Sequence, residues 1–154
     1  MGLSIAVEGI KDGEEIPKRF TCDGENLSPR ITISGAPEKA KALVLIMEDP
    51  DAPMGLFVHW TLFNIPPNTV EIKPGMGRER VTAEGMEQGK NDFGRTGYDG
   101  PCPPRGHGPH RYYFRLYAVD SKLSLRGTPT RKEILNAMEG KILENTYIMG
   151  KYGR

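Results

Sequence analysis

The sequence predicts a mostly β protein, a sandwich of antiparallel sheets with short helical elements near the C-terminus. Runs of strand length, rich in apolar and β-branched residues, begin early and recur along the chain, and turn signals rich in Gly and Pro separate them. Helical periodicity is found only in the last part of the chain. Many short strands followed by one or two late helices are typical of a sandwich.

The strands are predicted from two patterns. Apolar alternation, or enrichment in aromatic and β-branched residues, predicts strands at residues 3–7, 31–33, 57–65, 110–119 and 145–150. The run 42–47, Ala-Leu-Val-Leu-Ile-Met, is apolar throughout. It is therefore predicted to be a central strand that is covered on both faces.

The helix is predicted from its capping residues. Thr130 and Glu133 have the spacing of a capping box, in which each side chain satisfies a backbone N–H at the start of a helix. Ile134, Leu135 and Met138 would then share one stripe of the helix surface. This stripe is the face expected to pack on the rest of the protein.

Length and charge limit the class of protein. A chain of 154 residues suits one domain, residues 1–154, with a core large enough to need neither metal nor disulfides. Lys and Arg number 21 against 20 Asp and Glu, so a basic face for nucleic acid is not expected. We find no apolar stretch of membrane-spanning length and no signal peptide, which predicts a soluble, cytoplasmic protein.

Cys22 and Cys102 are the two cysteines, and each lies in a polar segment rich in turn residues. Two interpretations stay open. They are free thiols in a reducing cytosol, or they form one disulfide that ties the two segments together, which suits a source that lives at high temperature.

A loop dense in Gly and Pro precedes the aromatic strand at 110–119. Residues 94–109 contain five glycines and four prolines in sixteen positions, too many for a helix or a central strand. Proline fixes φ and glycine permits positive φ, so this mixture indicates a loop of defined shape. Such a loop can hold backbone N–H groups and side chains toward a ligand.

Polar side chains stand where three predicted strands meet turns. Asp49 and Asp51 follow the central apolar run, His59 lies in a largely apolar strand, and His110 and Tyr112 open the strand after the loop. The alternative for each aspartate is an Asx turn before proline, and the alternative for His59 is a hydrogen-bonded core residue. The convergence of three such segments favours a functional site.

Histidines with a carboxylate are suited to three kinds of chemistry: metal binding, acid–base catalysis and anion binding. The spacing matches no metal-binding motif, and no nucleophile elbow is present. Anion binding requires only donors and a cup-shaped loop. We therefore predict an anion site without metal or cofactor.

At these residues the chain resembles the phosphatidylethanolamine-binding protein family, also called Raf kinase inhibitor-like proteins, in its short bacterial and archaeal branch. The segments that carry the resemblance are Asp-Pro-Asp-Ala-Pro at 49–53, His-Trp at 59–60, Lys-Asn-Asp-Phe-Gly at 90–94, Gly-Tyr-Asp-Gly-Pro-Cys-Pro-Pro at 97–104, Gly-Pro-His-Arg-Tyr at 108–112 and the segment at 21–29. They are spread over most of the chain.

The resemblance implies a β-sandwich with a small pocket for phosphate-like anions and phospholipid headgroups. The implied pocket residues are Asp49, His59, Pro103, Gly108, His110 and Tyr112, with Asp51 and Tyr98 close by. It also implies a cis peptide bond at Cys102–Pro103 or Pro103–Pro104.

Three functions remain open. The first is a regulatory module that binds the phosphate group of a small molecule or a protein. The second is an inhibitor that docks on a peptidase or kinase through surface loops, and the third, which we do not favour, is a hydrolase that uses His59 and His110 as acid and base. Neither a nucleic-acid partner nor a membrane span is expected, and a homodimer is left open.

Overall fold

The computed structural model describes residues 2–154. Its secondary structure comprises eight strands, one α-helix and a short 3-10 helix at Lys18–Phe20. The elements are β1 (Ser4–Val7), β2 (Ile31–Ser34), β3 (Ala42–Asp49), β4 (Phe57–Ile65), β5 (Glu71–Ile72), β6 (Glu87–Gln88), β7 (His110–Val119), α1 (Arg131–Met138) and β8 (Ile142–Tyr152).

The strands form two antiparallel sheets. The smaller sheet has the order β1-β2-β5, and the larger has the order β6-β4-β3-β7-β8. The predicted mostly β fold with two antiparallel sheets and a short late helix is confirmed. β3 is the middle strand of the larger sheet, as its unbroken apolar run predicted, and all eight of its residues are buried.

Apolar side chains on the two faces of the larger sheet pack into separate cores. On one face, Leu45 and Trp60 pack with residues of the smaller sheet such as Ile31. On the other face, Val44 of β3 packs with Ile134 of the helix. The molecule is therefore layered as small sheet, large sheet and helix, and β3 contributes alternate residues to both cores.

The predicted capping box is present at the start of α1. The Thr130 hydroxyl accepts a hydrogen bond from the Glu133 backbone N–H, and the Glu133 side chain accepts one from the Thr130 N–H. Ile134 and Met138 are fully buried against the sheet. Both halves of the helix prediction are confirmed, and within residues 2–154 no helix is long and apolar enough to cross a bilayer.

The loop ahead of β7 is cross-linked to the segment after the 3-10 helix. A disulfide joins Cys22 to Cys102 across a sequence separation of 80 residues, so the free-thiol interpretation is wrong. The expected cis bond is also wrong, because Cys102–Pro103, Pro103–Pro104 and every other peptide bond between residues 2 and 154 are trans. Prolines and the disulfide together hold this loop without a cis bond.

Candidate functional site

A pocket of about 160 Å³ opens at one end of the central strands of the larger sheet, where β3 ends and its two neighbours, β4 and β7, begin. Because these neighbours run antiparallel to β3, Asp49 at its end meets the first residues of β4 and β7. The loop before β7 and the segment after β3 close the sides. The lining residues are Asp49, Ala52, Pro53, Phe57, His59, Phe93, Cys102, Pro103, Pro104, His110 and Tyr112.

Five of the residues named from the sequence line this pocket: Asp49, His59, Pro103, His110 and Tyr112. They come from β3, β4, β7 and the shaped loop, the segments that were expected to converge. Their proximity is a finding of the structure, whereas their role in binding a ligand remains a prediction.

Three other residues named from the sequence do not line the pocket. Tyr98 is buried, packs edge-on against Trp60 and donates its hydroxyl to the Phe20 carbonyl at 2.6 Å, so it is a core residue. Gly108 lies in the loop that leads into β7, with a φ of +90° that favours glycine. Neither residue lines the pocket.

Asp51, the third of these residues, anchors the loop instead. Its carboxylate accepts two hydrogen bonds from the Arg111 guanidinium, at 2.8 and 2.9 Å, and one from the Arg111 backbone N–H. These bonds lower the pKa of Asp51 to about 2, so the carboxylate is ionised at all ordinary pH values. Asp51 ties the segment after β3 to the start of β7.

Asp49 makes two hydrogen bonds, one within the turn that follows β3 and one to a histidine of the pocket. Its Oδ1 accepts the Asp51 backbone N–H at 2.7 Å, which is the Asx-type turn that the sequence left open. Its Oδ2 lies 2.7 Å from His110 Nδ1, so the buried imidazole donates to the carboxylate. The turn and the contact with a pocket histidine therefore coexist in one side chain.

His110 is also bonded to a histidine that was not among the predicted site residues. His107 Nδ1 lies 2.6 Å from His110 Nε2. Asp49, His110 and His107 thus form a hydrogen-bonded chain from a buried carboxylate to an exposed imidazole. The spacing of His107 and His110, three residues apart around Gly108, was visible in the sequence, but nothing there indicated that their rings would meet.

His59 occupies a β-bulge. Met47 pairs with Trp60 and Glu48 pairs with Val58, so His59 is the extra residue in β4. The bulge falls beside the pocket and re-aims this residue within an otherwise apolar strand. The His59 ring packs against Phe57, Phe93 and Tyr112, with centroid distances of 5.1, 5.6 and 5.2 Å.

The tautomer of His59 follows from its hydrogen bond. Nδ1 lies 2.6 Å from the Asp99 backbone carbonyl, which can only accept, so Nδ1 carries the hydrogen. Burial lowers the pKa of His59, so the ring is neutral. Nε2 is then left with a lone pair and acts as a hydrogen-bond acceptor.

Asp99, whose backbone carbonyl accepts the His59 hydrogen bond, is itself held by several side chains. Its buried carboxylate accepts paired hydrogen bonds from Arg78 and from Arg95, and further bonds from Asn91 and Asn26. Burial alone would raise the pKa of Asp99, but the hydrogen bonds from Arg78 and Asn91 outweigh it and lower the pKa. The Asp99 backbone N–H also donates a hydrogen bond to the His59 carbonyl, at 3.1 Å.

The remaining pocket wall is largely apolar. Phe57 and Phe93 pack edge-to-face, with centroids 4.8 Å apart, and prolines form much of the opposite side. Burial and the Asp49 charge raise the pKa of Tyr112, which therefore keeps its hydroxyl hydrogen. Within residues 2–154, no Lys or Arg lines the pocket and no three His, Cys, Asp or Glu side chains form a group that could hold a metal.

A second depression lies on the other side of the loop that bears Pro103. It is about 330 Å³ and includes three cationic side chains, Lys18, Arg105 and Arg154. Arg154 already donates to the Pro103 carbonyl at 2.7 Å and to Asp23 at 3.0 Å. This basic depression, defined by its three cations, is the rival place for an anion.

Comparison with known proteins identifies the family. The model of the family described as phosphatidylethanolamine-binding protein matches residues 7–153. The chain belongs to the phosphatidylethanolamine-binding protein family. The resemblance seen in the sequence is thereby confirmed.

Relatives and solved structures of this family match nearly the whole chain. A UPF0098 protein of Aquifex aeolicus is 46% identical over 153 residues, which cover 99% of this chain and 89% of the relative. A solved structure of Escherichia coli YbcL is 30% identical with a TM-score of 0.90, covering 100% of this chain and 99% of that one. A Chlamydia trachomatis homologue is 37% identical with a TM-score of 0.89, covering 99% and 98%.

Proposed function

We propose that the chain is a regulatory binding module whose pocket takes the phosphate group of a small molecule or a protein. The observation that carries the proposal is the Asp49–His110 pair beside His59 in a pocket of about 160 Å³. Drug-sized ligands occupy sites of about 300–1,000 Å³, so this pocket suits a small head group. The name of the family refers to a phospholipid whose headgroup contains a phosphate.

The apolar walls and the polar side chains of the pocket have different roles in binding. Phe57, Phe93 and the prolines exclude water, which strengthens every hydrogen bond made inside the pocket. The Tyr112 hydroxyl can donate a hydrogen bond to an oxyanion, and His110, held by Asp49 and His107, lines the same pocket. Binding is expected to weaken from about pH 5.5 to about pH 8, because the phosphate group loses its second proton in this range and the dianion is repelled more strongly by the Asp49 carboxylate.

The test is calorimetric titration of inorganic phosphate and glycerol phosphate into the wild type and three variants. His110→Ala should abolish binding, whereas Lys18→Ala and Arg105→Ala, in the basic depression, should leave it unchanged. Equal affinity at the two pH values, or loss of binding in the Arg105 variant alone, would refute the pocket as the phosphate site.

We also propose that the pocket binds its ligand without turnover. Cys102 is bonded to Cys22, and Tyr112 is the sole hydroxyl among the lining side chains between residues 2 and 154, so an activated nucleophile beside a base is lacking. A panel of esterase and phosphatase substrates tests this. Turnover that disappears in His110→Ala would promote the hydrolase alternative.

Inhibition of a peptidase or kinase through surface loops remains the second candidate function. Two exposed apolar side chains near the pocket favour it: Met54 is 99% exposed and Phe93 is 43% exposed. Exposed apolar residues beside a binding site are common where another protein docks. Met54→Ser should weaken inhibition of such an enzyme without changing phosphate affinity, and an unchanged inhibition constant would remove Met54 from the interface.

A further inference from the structure

The hydrogen-bond partners inside the pocket determine which oxyanions it can accept. Asp49, His59 and His110 each have a hydrogen-bond partner in the protein, and these partners determine what each side chain can still offer a ligand. Asp49 accepts hydrogen bonds from the Asp51 backbone N–H and from His110, and its carboxylate lines the pocket. A bound anion therefore faces a carboxylate, and each additional negative charge on the ligand increases the repulsion.

His59 adds a second acceptor. Because its Nδ1 hydrogen is donated to the Asp99 carbonyl, the nitrogen left for a ligand is Nε2 with its lone pair. Three aromatic rings, Phe57, Phe93 and Tyr112, pack against the imidazole. A ligand oxygen without a hydrogen would meet this lone pair directly.

The Tyr112 hydroxyl supplies the donor, because the hydrogens of the His110–His107 pair are already committed. His110 Nδ1–H is committed to Asp49, and a single hydrogen lies between His110 Nε2 and His107 Nδ1. The charged and titratable groups that face this pair are Asp49, Asp51 and Tyr112. The pocket therefore offers two acceptors and a donor, where a site for a fully ionised oxyanion would offer donors alone.

We infer that the pocket selects oxyanions that carry a hydrogen of their own, phosphate and phosphonate monoanions, over oxyanions that carry none. The ligand O–H donates to His59 Nε2 or to Asp49, and another ligand oxygen accepts from the Tyr112 hydroxyl. The inference rests on the proposed phosphate site and specifies its ligand. An oxyanion without a hydrogen leaves a buried acceptor unpaired, which corresponds to an affinity about 10- to 100-fold lower.

Methylphosphonate and methanesulfonate are the matched probes. Near pH ~6 the first is chiefly a monoanion with one O–H and the second is a monoanion with none, so charge and shape are the same. Calorimetric titration of both into the wild type at equal ionic strength is expected to give methylphosphonate an affinity about 10- to 100-fold higher. Affinities within about twofold would overturn the inference and leave the phosphate site intact, whereas no binding of either probe would overturn both.

A variant at His59 tests whether this residue causes the preference for methylphosphonate over methanesulfonate. His59→Gln replaces the lone pair by an amide that can also donate, so the ratio of the two affinities should fall to within about threefold. Circular dichroism and thermal melting confirm that the variant is folded. Should the variant fail to fold, Asp49→Asn tests the other acceptor by the same ratio. If the ratio of the two affinities stays at its wild-type value in folded variants of both His59 and Asp49, these residues are not the source of the preference.

Discussion

Reduction of the Cys22–Cys102 disulfide is predicted to destabilise the protein strongly. Cys22 is exposed and Cys102 is half-buried, so a small reductant can reach the bond. The link closes a long loop of the unfolded chain, and this restriction is lost when the bond is reduced.

The size of the effect follows from the sequence separation. For a separation of 80 residues, the chain-entropy relation gives about 4.5 kcal/mol in the free energy of unfolding near 25 °C. For a protein of this length, such a loss lowers Tm by about 9–18 °C. The effect on the site should also be measurable, because Cys102 and Pro103 form part of the pocket wall.

The assay is thermal unfolding with and without reductant, after thiol titration has shown that both cysteines are free. A Cys22→Ser/Cys102→Ser variant is the control, since it should melt with the reduced wild type and be insensitive to reductant. A shift of less than about 3 °C on complete reduction would refute the loop-closure reasoning. Phosphate affinity of the reduced protein, measured well below its Tm, should be lower than that of the oxidised protein.

Three further variants test other parts of the account. Thr130→Ala removes the capping box and should cost about 1 kcal/mol of stability in urea unfolding, while Thr128→Ala, an exposed neighbour, should cost nothing measurable. Asp99→Asn should lower the free energy of unfolding by about 3 kcal/mol. Because the pKa of Asp99 is lowered in the folded state, the carboxylate stabilises the protein above pH ~4, and this contribution is lost as the pH falls further. A variant whose stability falls with acid as steeply as that of the wild type would contradict this. Asp49→Asn should leave the fold intact and narrow the preference for methylphosphonate over methanesulfonate, and unfolding of this variant would mean that the Asx turn is its main role.

The long strands were predictable from the sequence because their patterns reflect burial. The apolar run of β3 follows from its position between two cores, and the alternation in β7 follows from a face packed in the sandwich. β5 and β6 were missed because strands of two residues are too short to show a period. β8 begins at Ile142, earlier than predicted, because its first two residues are both apolar and both exposed and therefore show no alternation.

The residues of the candidate site that lie near strand ends could be predicted from the sequence. Features that depend on contacts between distant parts of the chain could not. Asp49, His59 and His110 were found because each follows or opens an apolar strand. The bulge at His59 depends on the pairing of two strands, so no local pattern encodes it. The role of Asp99 was missed because its partners, among them Asn26 and Arg78, are far away in sequence.

The disulfide could not be decided from composition, and the place of Tyr98 could not be decided from the resemblance. Two cysteines in turn-rich segments are compatible with free thiols or with a bond, and only the folded chain brings them together. Tyr98 belongs to the expected loop, but its hydroxyl reaches the Phe20 carbonyl in the core. Tertiary packing sets the path of the loop, and this path determines both whether the cysteines meet and where the Tyr98 side chain lies.

The central claim, that the pocket at the end of β3 is the phosphate site, is tested most directly by nuclear magnetic resonance of the histidine side chains. Phosphate is titrated into protein with ¹⁵N-labelled imidazoles near pH ~6, and the ring signals are followed together with the backbone amides. The account predicts saturable shifts at His59, His107 and His110 with the affinity found by calorimetry. Shifts that saturate at Lys18 and Arg105 while the three imidazoles stay unchanged would contradict it.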